Sequence, residues 1–318
     1  LVIVAFTMMA AYYVNDVVAP LKTMLETDLA WSSTDFGFFT GGYSFLNVFF
    51  LMLIWGGLIL DRFGIRFTGK LATILMVGGT ALEYYAMTGL AGADATLFGI
   101  NEIFGYKTGV FVAFAGYSIF GVGAEVAGIT VSKIIAKWFK GKELATAMGV
   151  QVALARIGSQ AGYAVAIPLA RAFGISTPVL LGLVLLLGGM IAFFIFAVMD
   201  KKLDKQMEAA AIAAGTEDEE EKFSFKDVKN ILVNPGFWLI ALLCVLFYSC
   251  VFPFQKFASE LMIIKYGINE NVAGTFAGLP ALGALILTPV FGGFIDKRGK
   301  SASIMLLGSA MLICVHFI

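Results

Sequence analysis

The sequence predicts an all-α membrane protein, and three observations carry that prediction. Of its 318 residues 59% are hydrophobic and only 14% charged, with a mean hydropathy of +0.89, well outside the soluble range. Apolar runs long enough to cross about 30 Å of hydrocarbon recur along the whole chain. A charged loop motif appears twice, each time closing one of those runs. Lys+Arg and Asp+Glu both number 22, so no excess charge drives binding to nucleic acid, and the 36 glycines suit helices packed in lipid.

A window of about 19 residues yields about nine spans: near residues 1–26, 36–59, 69–91, 108–136, 144–170, 176–199, 236–260, 271–294 and 302–318. Backbone groups in lipid must be satisfied within the segment, so each span is expected to be helical. The first is apolar from Leu1, and the last is still apolar at Ile318, so the natural chain is expected to continue beyond it. The second and third are separated by Asp61 to Arg66, the fourth and fifth by a turn around Lys140 and Gly141. Residues 200–235 are polar and charged, with an acidic run Glu217 to Glu221 that reads as a solvated loop. This divides the chain into residues 1–199, a linker 200–235, and residues 236–318. Phe223 to Leu232 is expected to form a short amphipathic helix before Asn234 and Pro235 start the seventh span.

Basic residues orient the spans. Sixteen of them, including Arg62, Arg66, Lys70, Lys133, Lys137 and the lysines of the linker, fall on one side; Lys22, Lys107, Arg171, Lys256 and Lys265 fall on the other, and Arg156 lies mid-span. The richer side is expected to be cytoplasmic.

The repeated motif is Gly57-Leu-Ile-Leu-Asp61-Arg62-Phe-Gly64-Ile-Arg66 after the second span and Gly292-Gly-Phe-Ile-Asp296-Lys297-Arg298-Gly299-Lys300 after the eighth. A small residue lets helices approach, the Asp receives cations or caps a helix, and the second Gly permits a tight turn. One copy reads equally as an ordinary charged turn; two copies at equivalent positions do not. The pair resembles the signature loop of the major facilitator superfamily, whose two six-helix halves are related by an axis along the membrane normal. The resemblance implies one complete half followed by the first three helices of the second. It also implies a conformational latch at Gly57, Asp61, Arg62, Gly64 and Arg66, and at Gly292, Asp296, Lys297 and Gly299.

A narrower likeness lies in Trp138-Phe-Lys-Gly-Lys-Glu-Leu144 with Ala155-Arg-Ile-Gly-Ser159, together with Asp16 in the first span and Val251-Phe-Pro-Phe254 in the seventh. These stretches resemble the family of the lysosomal dipeptide uniporter and its bacterial relatives. The resemblance implies that Glu125 and Arg156 contact the amino and carboxylate ends of a bound ligand.

The residues support a related reading by themselves. Glu125 and Arg156 lie about 15 to 16 residues on either side of the turn near Lys140, hence at one depth about 23 Å from it. Opposite charges at mid-membrane are expected to face inward and either pair with each other or meet a charged ligand. Asp16, beside Asn15, is a second intramembrane carboxylate, suited to an amine, to a proton, or to a helix kink near Pro20. Lys256 follows Pro253 and is expected to snorkel toward the outer interface, with the cavity as its alternative. Tyr43, Tyr117 and Gln151 are further candidate ligand contacts, as are Tyr12, Asn47, Tyr163, Tyr248 and Gln255, each with a packing role as the simpler reading. Gly149, Gly158 and Gly162 match a glycine spacing found in drug antiporters, but Tyr163 stands where that motif needs proline, so close helix packing explains them.

The expected function is alternating-access transport of a short peptide or similar zwitterion, with lipid as surroundings and the proton as a possible co-substrate. An organic-anion porter anchored on Arg156 is the nearest alternative, and a non-transporting sensor on the same fold a second. No enzyme is expected, since no nucleophile triad or phosphate loop appears. The single histidine and the three cysteines inside apolar runs suggest neither a metal nor a cofactor. The chain carries no N-x-[ST] sequon, which leans toward a bacterial inner membrane over a lysosomal one.

Overall fold

The structure is a computed structural model that describes residues 1–92, 95–139, 143–214, 232–298 and 301–317. It is built from helices α1 (Val2–Val17), α2 (Lys22–Asp28), α3 (Ser33–Phe49), α4 (Met52–Thr88), α5 (Thr108–Trp138), α6 (Leu144–Phe173), α7 (Thr177–Ala214), α8 (Pro235–Tyr266), α9 (Glu270–Arg298) and α10 (Ser301–Phe317). A two-residue hairpin pairs β1 (Glu102–Ile103) with β2 (Tyr106–Lys107).

Local chemistry explains the boundaries. Pro20 sits in a 3-10 turn, Ala19–Leu21, that separates α1 from α2, because proline cannot donate to the helical ladder. Ser32 starts α3 with a capping box: its hydroxyl accepts from the Asp35 amide, and the Asp35 carboxylate accepts from the Ser32 amide. Gly64 has φ 75° and ψ 173°, so α4 is two helical stretches joined at the glycine that the sequence marks as a turn. Phe104 and Gly105, both at positive φ, make the tight turn of the hairpin.

By length and composition five helices are able to cross a membrane: Val2–Asp28, Thr108–Trp138, Thr177–Gln206, Pro235–Tyr266 and Glu270–Leu287. The bent pair Ser33–Phe49 and Met52–Thr88, at 58°, makes a sixth if it counts as one span. The sequence counts more because it separates α4 at Gly64, includes α6 despite Gln151, Arg156, Ser159 and Gln160, and includes the shorter Ala302–Phe317.

The chain forms two compact units, one of Leu1–Asp204 with Lys256–Leu282, the other of Lys205–Gln255 with Gly283–Ile318. In the first unit α4 packs along α5, and α1 along α6, while α5 and α6, consecutive in the chain, barely touch. Glycine permits both close pairs. A Cβ on Gly116 would lie 2.6 Å from the Gly79 carbonyl, and one on Gly158 would lie 2.1 Å from the Met9 carbonyl, so the backbones themselves are in contact. Small-residue packing at Gly158 and Gly162 against α1 is thus what the structure has. The core between these helices is apolar and aromatic, with Tyr117 and Phe120 stacked at 5.8 Å.

In the second unit the Asn234 side chain accepts from the Gly236 amide at the start of α8, and the Phe254 and His316 rings lie 5.6 Å apart. Leu239, Ile240 and Leu306 are largely exposed, as suits side chains whose solvent is lipid. The acidic run Glu217 to Glu221 and the stretch Phe223 to Ile231 lie outside the described residues, as do Lys140 and Gly141.

Candidate functional site: two charged centres within the first unit

Glu125 on α5 and Arg156 on α6 do not pair with each other among the described residues. Each is instead held by a tyrosine. The Tyr43 hydroxyl, on α3, donates to Glu125 Oε1 at 2.8 Å, and the Arg156 guanidinium lies 5.9 Å from the centre of the Tyr12 ring on α1. The cause is the packing: α5 lies against α3 and α4, and α6 against α1, so sequence neighbours at equal depth are not spatial neighbours. Among the described residues the guanidinium makes no hydrogen bond, which leaves its donors open to a carboxylate. A half-buried Glu125 that accepts from Tyr43 on one oxygen retains acceptor capacity for an ammonium group.

A second centre surrounds Asp16 near the end of α1. Ser159 donates to Asp16 Oδ2 at 2.5 Å and the Asn15 side-chain amide to Oδ1 at 2.9 Å. Lys256 reaches in from α8: its ammonium donates to the Asn15 carbonyl at 2.5 Å and to the Tyr117 hydroxyl at 3.1 Å, and lies 3.7 Å from Asp16 Oδ1. Tyr117 in turn donates to the Asn15 carbonyl at 2.7 Å. The expected snorkelling of Lys256 is therefore not seen; a buried anion, a carbonyl and an aromatic ring offer the ammonium more than a long reach to the interface would. Asp16 also stands one turn before the Pro20 break. Tyr43 is within electrostatic reach of both Asp16 and Tyr12, which brings the two centres together.

The other candidates are placed less tellingly. Gln151 is half-buried on α6. Asn47 donates to the Tyr43 carbonyl at 3.0 Å, bracing that helix turn. Tyr163 is a core residue.

At the motif end, Asp61 Oδ1 accepts from Lys133 on α5 at 2.9 Å, and Arg62 lies 5.6 Å from the Phe63 ring centre. Arg66 lies 2.9 Å from Asp204 Oδ2 and 3.7 Å from Asp200 Oδ2. Lys137 donates to the same two carboxylates at 2.5 and 2.9 Å, and the Trp138 indole to Asp200 at 3.0 Å. The close helix approach falls on Gly56, where a Cβ would lie 2.6 Å from Val126, rather than on Gly57, where it would meet nothing. Gly299 and the side chains of Gly292, Asp296 and Lys297 lie outside what is described.

Three features escape a reading of the sequence. Asp200 and Asp204 look like the start of the linker, yet Asp200 is fully buried. Lys22 is 2% exposed and bonded to Glu26, Ser33 and Glu260; only its spacing from Glu26 is visible locally. Glu83 is a carboxylate inside the third span, and that alone marks it for attention.

A profile of the major facilitator superfamily matches residues 1–318. The chain is 27% identical over 330 residues to a protein of Homo sapiens named lysosomal dipeptide transporter MFSD1, covering 99% of this chain and 64% of the relative. The Gallus gallus protein of the same name is 32% identical over 199 residues, covering 58% of this chain and 43% of the relative. The chain thus spans somewhat less than two thirds of the length of these relatives. Among solved structures, the crystal structure of a D-xylose-proton symporter aligns with a TM-score of 0.58 at 16% identity, covering 93% of this chain and 68% of that one, which speaks to the fold. With its apolar helices and its Asp-Arg-x-Gly turn, a chain matched from end to end by that profile belongs to the major facilitator superfamily and is a multi-pass membrane protein.

Proposed function

We propose that this chain forms part of a secondary transporter that moves a small zwitterionic solute, with dipeptides as the substrate class, by alternating access. The observation that carries the reading is that Glu125 and Arg156, opposite charges on one unit, are each cradled by a tyrosine and are not spent on each other. A zwitterion supplies one partner of each sign, and desolvated charges without partners are costly enough to select for it. The printed names of the relatives agree with that substrate class. Asp61, Arg62 and Arg66 act in this reading as the latch, through Lys133 and the Asp200 and Asp204 carboxylates. The membrane we assign is a bacterial inner membrane, supported by the lack of any sequon.

Ligand-induced thermal stabilisation of the full-length protein tests this, since binding to the native state raises apparent stability by mass action. The wild type is expected to be stabilised by a free dipeptide and much less by its N-acetyl or amidated forms, and Glu125→Gln to lose the distinction between free and N-acetyl peptide. Equal stabilisation of the wild type by free and N-acetylated peptides would support an organic-anion porter, for which the unbonded Arg156 guanidinium is the anchor.

A further inference from the structure

Glu83, like Asp200, is a fully buried carboxylate. It is 0% exposed, and neither of its carboxylate oxygens has a hydrogen-bond partner. It lies on α4 where that helix touches α5 backbone to backbone: a Cβ on Gly116 would come within 2.9 Å of the Glu83 amide nitrogen. No water-accessible surface and no donor is left to solvate a negative charge. An ionised carboxylate in such a place is far more costly than a neutral acid, which forfeits only hydrogen bonds.

Among the described residues, Tyr117 on α5 and Lys256 on α8 are the titratable groups within electrostatic reach of it. Lys256 is already engaged by the Asn15 carbonyl, the Tyr117 hydroxyl and Asp16 on α1. Tyr43 on α3 is committed to Glu125. One ammonium group is therefore within electrostatic reach of two carboxylates, Asp16 and Glu83; in this structure it lies on the Asp16 side and bonds Tyr117, the neighbour of the Gly116 that abuts the Glu83 backbone.

We propose that Glu83 is a proton-binding site whose occupancy is set by the position of Lys256: it holds a proton as a neutral acid while Lys256 is on the Asp16 side, and releases it when Lys256 turns to it. On release the proton leaves the carboxyl O–H for water and the net charge of the unit falls by one; the carboxylate left behind takes the ammonium as its counter-ion, while Asp16 keeps the Ser159 and Asn15 donors. Because Lys256 is carried by α8 and Glu83 by α4, proton occupancy reports on the approach of those two helices. None of this depends on which solute is carried.

Infrared spectroscopy of the full-length protein in lipid nanodiscs tests it without any solute. At neutral pH the wild type is expected to show the carbonyl stretch of a buried protonated carboxylic acid, and Glu83→Gln to lack it while unfolding at a similar temperature at acid pH. As pH rises, Glu83→Gln is expected to become more stable than the wild type, because the unfolded wild-type chain releases a proton that the folded state keeps. Lys256→Gln is expected to hold the band to a higher pH, by on the order of one unit, since the counter-ion is gone. A wild type without the band, or a folded Glu83→Gln that keeps it, overturns the site; an unshifted band in Lys256→Gln overturns the dependence on that lysine. Should Glu83→Gln fail to fold, Asp16→Asn and Glu125→Gln decide: Glu125→Gln must leave the band unchanged, and Asp16→Asn, which frees Lys256 to turn to Glu83, must keep it at acid pH but lose it at a lower pH than the wild type; its absence at every pH in either variant assigns the proton elsewhere and sinks the proposal. A failed dipeptide titration leaves these readouts untouched.

Discussion

At the Arg66 end of the first unit, Asp200 is 0% exposed and is approached by Lys137, Trp138 and Arg66, so its partners come from α4 and α5 while it stands on α7. At the Lys22 end the buried charge is a cation, and its partners are Glu26 in its own helix, Ser33 on α3 and Glu260 on α8. Arg171 on α6 adds a second link there, to Glu270 and Asn271 on α9. The first network therefore ties helices within residues 1–204 to one another, whereas the second ties those helices to α8 and α9. In the alternating-access reading proposed above, a network of the first kind switches only through the latch contacts of Arg66, whereas one of the second kind has to break when that end opens. Its bonds must accordingly be strong enough to hold and few enough to release. Lys22 with its carboxylates and the more exposed Arg171 pair fit that description.

Three substitutions break or sharpen the contrast. The largest effect is expected for Lys22→Met, which takes the buried ammonium away from the partly exposed Glu26 and Glu260; a loss of about 3 kcal/mol is expected in thermal or denaturant unfolding. Hydrogen exchange should rise specifically in the segment of α8 around Glu260. A uniform rise would mean that Lys22 supports the first helices and does not link them to α8. Asp200→Ala is expected to cost about 2 kcal/mol, because it leaves the Lys137 ammonium and the Trp138 indole short of a partner. Here exchange should rise at the ends of α4, α5 and α7 and stay unchanged in α8. The smallest effect on stability belongs to Asp61→Asn. Asp61 and Lys133 are about half exposed, so unfolding should move by no more than about 0.5 kcal/mol. Uptake by proteoliposomes is nevertheless expected to slow with little change in solute affinity if, as proposed, the pair biases a conformational equilibrium and touches no ligand. Lost affinity in a normally folded Asp61→Asn protein would remove it from the latch.

Much of the fold could be read directly from the residues. Long apolar runs in a chain with 14% charge leave few alternatives to membrane helices. The Asp-Arg-x-Gly repeat pointed to the superfamily, and Gly64 at φ 75° sits where the motif demands a turn. Equal depth of Glu125 and Arg156 followed from helix rise alone, because rise per residue is a local property. Their failure to pair did not follow, since it depends on α5 choosing α4 and α6 choosing α1 through glycine contacts that no spacing rule specifies.

What the sequence by itself determined is the class of protein and its long apolar helical segments, which follow from the hydration cost of exposing or burying each side chain in turn. What only the tertiary structure decided is who partners whom: Lys256 with Asn15 across 241 positions, Lys22 with Glu260 across 238, and Glu83 with no hydrogen-bond partner among the described residues. The reason is physical. Hydrophobicity is a property of one residue and survives any rearrangement of the helices, but a charge's partner depends on the angle and facing of two helices, which are set by the packing of every other side chain between them.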